Sequence, residues 1–157
     1  MAKIIKYKIG DLFIVPLVDN LKGVGRVLNK NEDTILIELY KMKPITNILE
    51  FDYESVSNEK PIVIHWCYDD GIKKGIWEVF DNKPVLEEIE MPYFWYDDSG
   101  YKKYFISKGE WSSYRIKEDS IEIAKEDTNK YEPYGIGNEI SERNRYIRRL
   151  CEKGLIN

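Results

Sequence analysis

The sequence predicts an α+β, mainly β domain: an antiparallel sheet, curled or barrel-like, with a helix at its C-terminal end. Three observations carry this. The first half of the chain alternates short runs of β-branched and aromatic residues with clusters of Gly, Asn and Asp, the pattern of strands and turns. Aromatic residues make up 13% of the chain, mostly its 12 Tyr and 4 Trp, and such side chains fit a pleated, half-buried surface. From Asn138 to Lys153 the apolar residues Ile140, Ile147, Leu150 and Cys151 recur at helical spacing instead.

The elements follow in order. The run 11–18 (DLFIVPLV) is apolar on both alternating sets, so it reads as a strand covered on both faces, with Pro16 placing it at an edge or a bulge. Residues 19–23 form a turn. The run 24–28 returns as a second strand, in which Gly25 marks a bulge or a close backbone approach. After a turn at 29–33, the run 34–40 completes an antiparallel meander. The segment 41–60 is left unassigned: Ile45, Ile48, Leu49 and Tyr53 permit a short helical turn between Pro44 and Pro61. Strands are expected at 61–67 and 75–80, joined by a turn at Asp69-Asp70-Gly71, and further β-like runs at 103–107, 110–116 and 120–124. Asn138 or Ser141 can cap the final helix, 138–153, and Gly154 can end it.

Length and composition bound the rest. A chain of 157 residues fits one domain, taken here as 1–157. It holds one histidine and two cysteines, too few for a multi-histidine metal centre or a zinc ribbon, and a catalytic relay would have His65 as its one imidazole. No metal, cofactor or catalytic residue is assigned. No apolar run reaches the length of a signal-peptide core or a membrane span, so a cytoplasmic protein that does not enter the membrane is expected, with Cys67 and Cys151 as free thiols. The formal net charge is −4, which argues against a general nucleic-acid binder.

Local motifs are read against simpler explanations. Gly23-Val24-Gly25 and Gly135-Ile136-Gly137 lack the third glycine of a dinucleotide loop. His65, between Ile64 and Trp66, fits a packed, hydrogen-bonded imidazole, and Cys67 on the same face a small core residue. Asp97-Asp98-Ser99-Gly100 resembles a fragment of a calcium loop without its downstream ligands. More informative is the segment 81–98, where six acids (Asp81, Glu87, Glu88, Glu90, Asp97, Asp98) face one base, Lys83, around Tyr93-Phe94-Trp95-Tyr96. Alternation sends two of these aromatics outward beside carboxylates, a pattern that suits a protein interface in which aromatics anchor and acids steer a basic partner. The candidate partner-binding residues are therefore Glu87, Glu88, Glu90, Trp95, Tyr96, Asp97, Asp98 and Tyr101. Within the final helix, residues 141–153 carry five bases against two acids, and the helix reads as a solvated face docked by Ile140, Ile147 and Leu150.

The runs 8–17 (KIGDLFIVPL), 23–28 (GVGRVL), 75–79 (GIWEV) and 91–94 (MPYF), in that order, resemble the bacterial immunity protein 26 family of polymorphic toxin systems over roughly residues 8 to 120. The resemblance implies a non-enzymatic, cytoplasmic protein that binds and neutralises a cognate toxin domain. Gly10, Asp11, Pro16, Gly25, Trp77 and Pro92 look architectural within these motifs. Two rivals come from other classes. A MazF-like endoribonuclease, a small SH3-like barrel, also opens on Gly-Asp and a hydrophobic strand; there Arg26 would stabilise a phosphorane with Ser112 or Ser113 as helpers. A small-molecule binding module would line a pocket with Trp66, Trp77 and Trp95.

Overall fold

The structure, a computed structural model, describes residues 3–98, 100, 102–108 and 119–157. The chain is mainly β and divides into two compact units, Met1–Glu88 with Ile136–Asn157, and Ile89–Gly135. Among the described residues each holds one open sheet, and neither sheet closes into a barrel.

In the larger unit, β1 (Asp11–Pro16), β2 (Lys22–Asn31), β3 (Thr34–Leu39), β4 (Val63–Tyr68) and β5 (Glu78–Asn82) lie in the order β4-β3-β2-β1-β5. All pairs are antiparallel, and β1 to β3 form the expected meander. β1 is an inner strand, contrary to the edge that Pro16 suggested. β5 pairs with it only from Asp11 to Ile14, so Pro16 lies past the end of β5, where a missing N–H breaks no ladder. The Pro16 and Leu17 carbonyls beyond that end accept from Arg143 at 3.1 and 3.0 Å. The β1–β5 bulge falls between Leu12 and Phe13, and a second one interrupts β2 between Val27 and Asn29. Gly25 is a close approach: a Cβ there would stand 2.6 Å from Phe13 Cζ and 2.8 Å from the Glu38 carbonyl.

Both faces of this sheet are covered, as the doubly apolar β1 requires. One face packs Phe13, Val15, Val27, Ile35, Ile37, Leu39, Val63 and Cys67 against Ile72 of the one-turn helix α2 (Asp70–Lys73), Trp77, and Tyr146 and Leu150 of α3 (Glu139–Glu152). The other packs Leu12, Val24 and Tyr40 against Met42, Ile45, Ile48, Phe51, Tyr53 and Val56. The segment left unassigned in the sequence is thus a lid, built from a 3-10 turn at Ile48–Glu50 and α1 (Tyr53–Ser57). The Asp69-Asp70-Gly71 turn is helical, and β5 begins at Glu78 because 75–77 bend through Gly75 at φ 75°.

α3 starts on an Asn138–Ser141 capping box. It ends where the Leu155 N–H reaches the Leu150 carbonyl at 2.9 Å, with Gly154 at φ 70°, the left-handed stop expected of glycine. Ile147 and Leu150 dock on the core as expected, but Ile140 does not. Ile140 is 63% exposed, whereas Glu142, Tyr146 and Leu150, each one turn apart, are fully buried. Tyr146 enters a notch left by Gly23 and donates to the Tyr40 carbonyl at 2.6 Å.

The smaller unit has the order β8-β7-β6-β9, from β6 (Tyr93–Asp98), β7 (Lys103–Lys108), β8 (Ile121–Ile123) and β9 (Glu132–Pro133). The two-residue β9 joins β6 in parallel. A 3-10 segment, Lys125–Lys130, links β8 to β9. The β-like run expected at 110–116 lies outside the described residues.

Candidate interaction site

Tyr93 to Asp98 do form a strand, and its alternation sorts the aromatics. Phe94 and Tyr96 turn to one face: Phe94 is buried against Tyr134, while Tyr96 stacks on Phe105, meets Tyr134 edge-on and shares a hydrogen bond with Ser120. Tyr93 and Trp95 turn to the other face with Asp97. There Lys108 Nζ lies 5.0 Å from the Tyr93 ring centre, Trp95 tilts against Tyr104 at 6.3 Å, and Ile106 pairs with a 51% exposed Ile121. Trp95 is half-buried, and Asp97 and Asp98 are exposed at the strand's end. Asp98 sits opposite Lys103, whose amine reaches Glu122 at 3.8 Å. This end of β6 offers a solvated carboxylate, Asp97, on the face of the half-buried indole, with a second, Asp98, at the strand's end on the other face, a combination able to steer and then seat a cationic partner.

The remaining candidate residues are placed elsewhere. Glu90 is exposed in the smaller unit; Glu87 and Glu88 belong to the larger one, both exposed. Tyr101, like Ser112 and Ser113, lies outside the described residues. Glu87 is also committed internally, because its carboxylate pairs with Arg26.

That pairing decides the chemistry of Arg26. The guanidinium, with its side chain 3% exposed, faces Glu38 across the β2–β3 ladder and donates to it from Nε at 2.7 Å. Its Nη1 donates to Tyr53 Oη at 3.0 Å and the Lys83 carbonyl at 3.2 Å, and Tyr40 Oη donates to Glu38 at 2.8 Å. Burial pulls the Arg26 pKa down, but the Glu38 charge, then Tyr40, and hydrogen bonds to Glu87 and Glu38 outweigh it and raise it. Burial, then the Glu38 charge and hydrogen bond, hold the Tyr40 hydroxyl protonated far above its usual range. For Glu87 slight burial is outweighed by backbone hydrogen bonds and by Arg26, which lower its pKa. A guanidinium so enclosed holds the sheet to its lid and is not presented to a phosphodiester.

Other sequence candidates resolve as packing. His65 is buried, with Nδ1 2.9 Å from the fully buried Glu142 carboxylate of α3, which Arg145 Nε approaches at 3.5 Å. Gly137 leaves room for that carboxylate, since a Cβ there would stand 2.8 Å from Glu142 Cδ. Burial pushes the Cys67 thiol up, aided by the charges of Glu142 and Asp69. Both cysteines are free. Trp66 and Trp77 fill the larger unit, Trp77 stacked on Phe13 at 5.0 Å, while Trp95 belongs to the smaller unit. No cluster of three or more His, Cys, Asp or Glu residues able to hold a metal ion occurs among the described residues. Nor is any described helix long and apolar enough to cross a membrane.

Residues 8–106 match the family model of immunity protein 26. The chain belongs to the immunity protein 26 family. The matched stretch runs from the residues leading into β1 to β7, so it includes the whole five-stranded sheet and the strand bearing Trp95, Asp97 and Asp98. The chain is also 30% identical over 90 residues to a 2-succinyl-5-enolpyruvyl-6-hydroxy-3-cyclohexene-1-carboxylate synthase of Christiangramia forsetii (strain DSM 17595 / CGMCC 1.15422 / KT0803), a match covering 52% of this chain and 16% of the synthase. No solved structure matches.

The buried Glu142 escaped the sequence reading. Its signal was faint but present: Glu142, Tyr146 and Leu150 share one helix face, and His65 is a polar residue in an apolar strand in need of a partner.

Proposed function

We propose that this immunity protein acts without catalysis, in the cytoplasm of the producing cell, by binding a cognate toxin domain of basic surface and blocking it. Family membership supports the toxin as partner. The observation that carries the contact is the end of β6, where exposed Asp97 shares a face with the half-buried Trp95 and exposed Asp98 closes the strand. The candidate set also holds Glu90, Tyr96 and Tyr101, and, in the larger unit, Glu87 and Glu88.

Exposed carboxylates chiefly raise the rate of encounter, whereas the aromatic anchor slows departure. Asp97→Lys with Asp98→Lys should therefore slow association with the toxin domain about tenfold or more at low salt, with less effect at high salt, while Trp95→Ala speeds dissociation. Surface plasmon resonance on the purified toxin domain tests this. Unchanged association by the double variant removes the site assignment.

A further inference from the structure

β5 forms one edge of the five-stranded sheet, and its two ends are chemically opposite. At its N-terminal end Ile76 is 45% exposed. Ile5, 39% exposed, is tied to the same turn: its N–H donates to the Lys73 carbonyl at 3.2 Å, and its Cδ1 lies 3.1 Å from where a Cβ on Gly75 would stand. Ile4 is 70% exposed beside it, and Lys3, Lys6 and Lys74 are exposed around these isoleucines. Lys73 is held by Asp69 at 3.1 Å. At the other end, the loop leaving β5 carries Leu86, 90% exposed, followed by Glu87 and the exposed Glu88. Arg26 grips Glu87, so the loop is pinned and Leu86 is held outward.

We infer that β5 and its two flanks form a self-complementary surface on which a second copy of this chain docks. A two-fold axis through the middle of β5 sets each end of the strand against the opposite end of its copy. The isoleucines and lysines of one chain then meet Leu86 and Glu88 of the other, twice over. Because both contacts are the same contact, the assembly closes as a dimer instead of growing into a filament. Apart from its pairing with β1, β5 makes no backbone hydrogen bond to another strand among the described residues. The bulge at Phe80, however, and the exposed Glu78 and Asp81 break a continuous edge-to-edge ladder. The apolar and charged ends carry the association.

Sedimentation of the full chain tests this, from about 1 to 200 μM protein in 50 mM and 500 mM salt. The expected result is a concentration-dependent species of twice the 18.6 kDa chain mass, weakened by salt because its charges are screened. Leu86→Asp should weaken it at least tenfold. Lys74→Glu and Glu88→Lys should each weaken it about tenfold, and the two together should restore it to within about threefold of the parent, a recovery that misfolding cannot produce. A monomer throughout the range, species larger than a dimer, or a double variant no better than the single ones would overturn the inference. None of these readings depends on toxin binding.

Discussion

Removing the Glu142 carboxylate perturbs the joint between α3 and the sheet most directly. It is fully buried, its short contact is to His65 Nδ1 at 2.9 Å, and the Arg145 approach at 3.5 Å is too long to count as a strong bond. Truncation to Ala leaves the buried His65 without this acceptor and opens a cavity beside Gly137, so the cost is about 3–5 kcal/mol, the range for breaking a buried pair from one side. Glu142→Gln keeps one carbonyl oxygen for His65 and loses the difference between a charged and a neutral hydrogen bond, about 1–1.5 kcal/mol. Against a typical domain stability of about 5–15 kcal/mol, the Ala variant is close to the edge of folding. Urea unfolding followed by tryptophan fluorescence in a Trp95→Phe/Trp111→Phe background reads the larger unit through buried Trp66 and Trp77, with circular dichroism as the second probe that a two-state treatment requires. His65→Ala alone and with Glu142→Ala completes a cycle whose coupling should be about 1–3 kcal/mol. If Glu142→Ala costs under about 1 kcal/mol, or the two substitutions simply add, the joint is not held by this pair.

Further outcomes follow from the same contacts. Gly23→Ala places a Cβ 2.7 Å from Tyr146 Cζ and should cost about 1–3 kcal/mol through overpacking, seen as a lowered Tm, whereas Tyr146→Phe should cost about 1 kcal/mol for the hydroxyl that reaches Tyr40. Because the Glu87 pKa is lowered in the fold, its contribution is complete above the ordinary carboxylate pKa and fades as pH falls through the lowered one. Acid titration of wild type against Glu87→Gln should accordingly show the gap between them closing below about pH 4. Tyr7, Tyr40 and Tyr146 have raised pKa values, with burial the largest cause in each. Stability should therefore fall as pH rises past about 10, and these three should ionise only on unfolding, as a late step in absorbance at 295 nm. Arg26→Ala should destabilise the larger unit by about 3–5 kcal/mol, since it strands Glu38; single-stranded RNA should stay intact with either protein.

Much of the fold was legible because local pattern and tertiary need agree. Leu12, Phe13 and Val15 are apolar on both sets, and their strand is covered on both faces. Asn138, Ser141 and Gly154 carry out their capping roles within a few residues of themselves. What escaped depends on distant partners. Ile140 matches the helical period as well as Leu150 does, yet the buried face takes in Glu142, which meets His65, 77 positions away, and Arg145. The lid over 41–57 holds helical runs of three and five residues, too short to show a period, and β9 is strand only because Phe94 and Trp95 pair with it. For the interaction site, sequence supplied the acids and aromatics but not their division. Tyr96 and Glu87 are engaged by Ser120 and Arg26, and Trp95, Asp97 and Asp98 are left on one strand end.

The decisive measurement is titration of the purified chain into the toxin domain that the proposed function calls for, sought first in the neighbouring gene, with calorimetry and the toxin's own activity read together. A saturable complex that abolishes the activity, and that associates more slowly with Asp97→Lys/Asp98→Lys, is the predicted result. A toxin domain that stays unbound and fully active at saturating concentrations of this protein would contradict it.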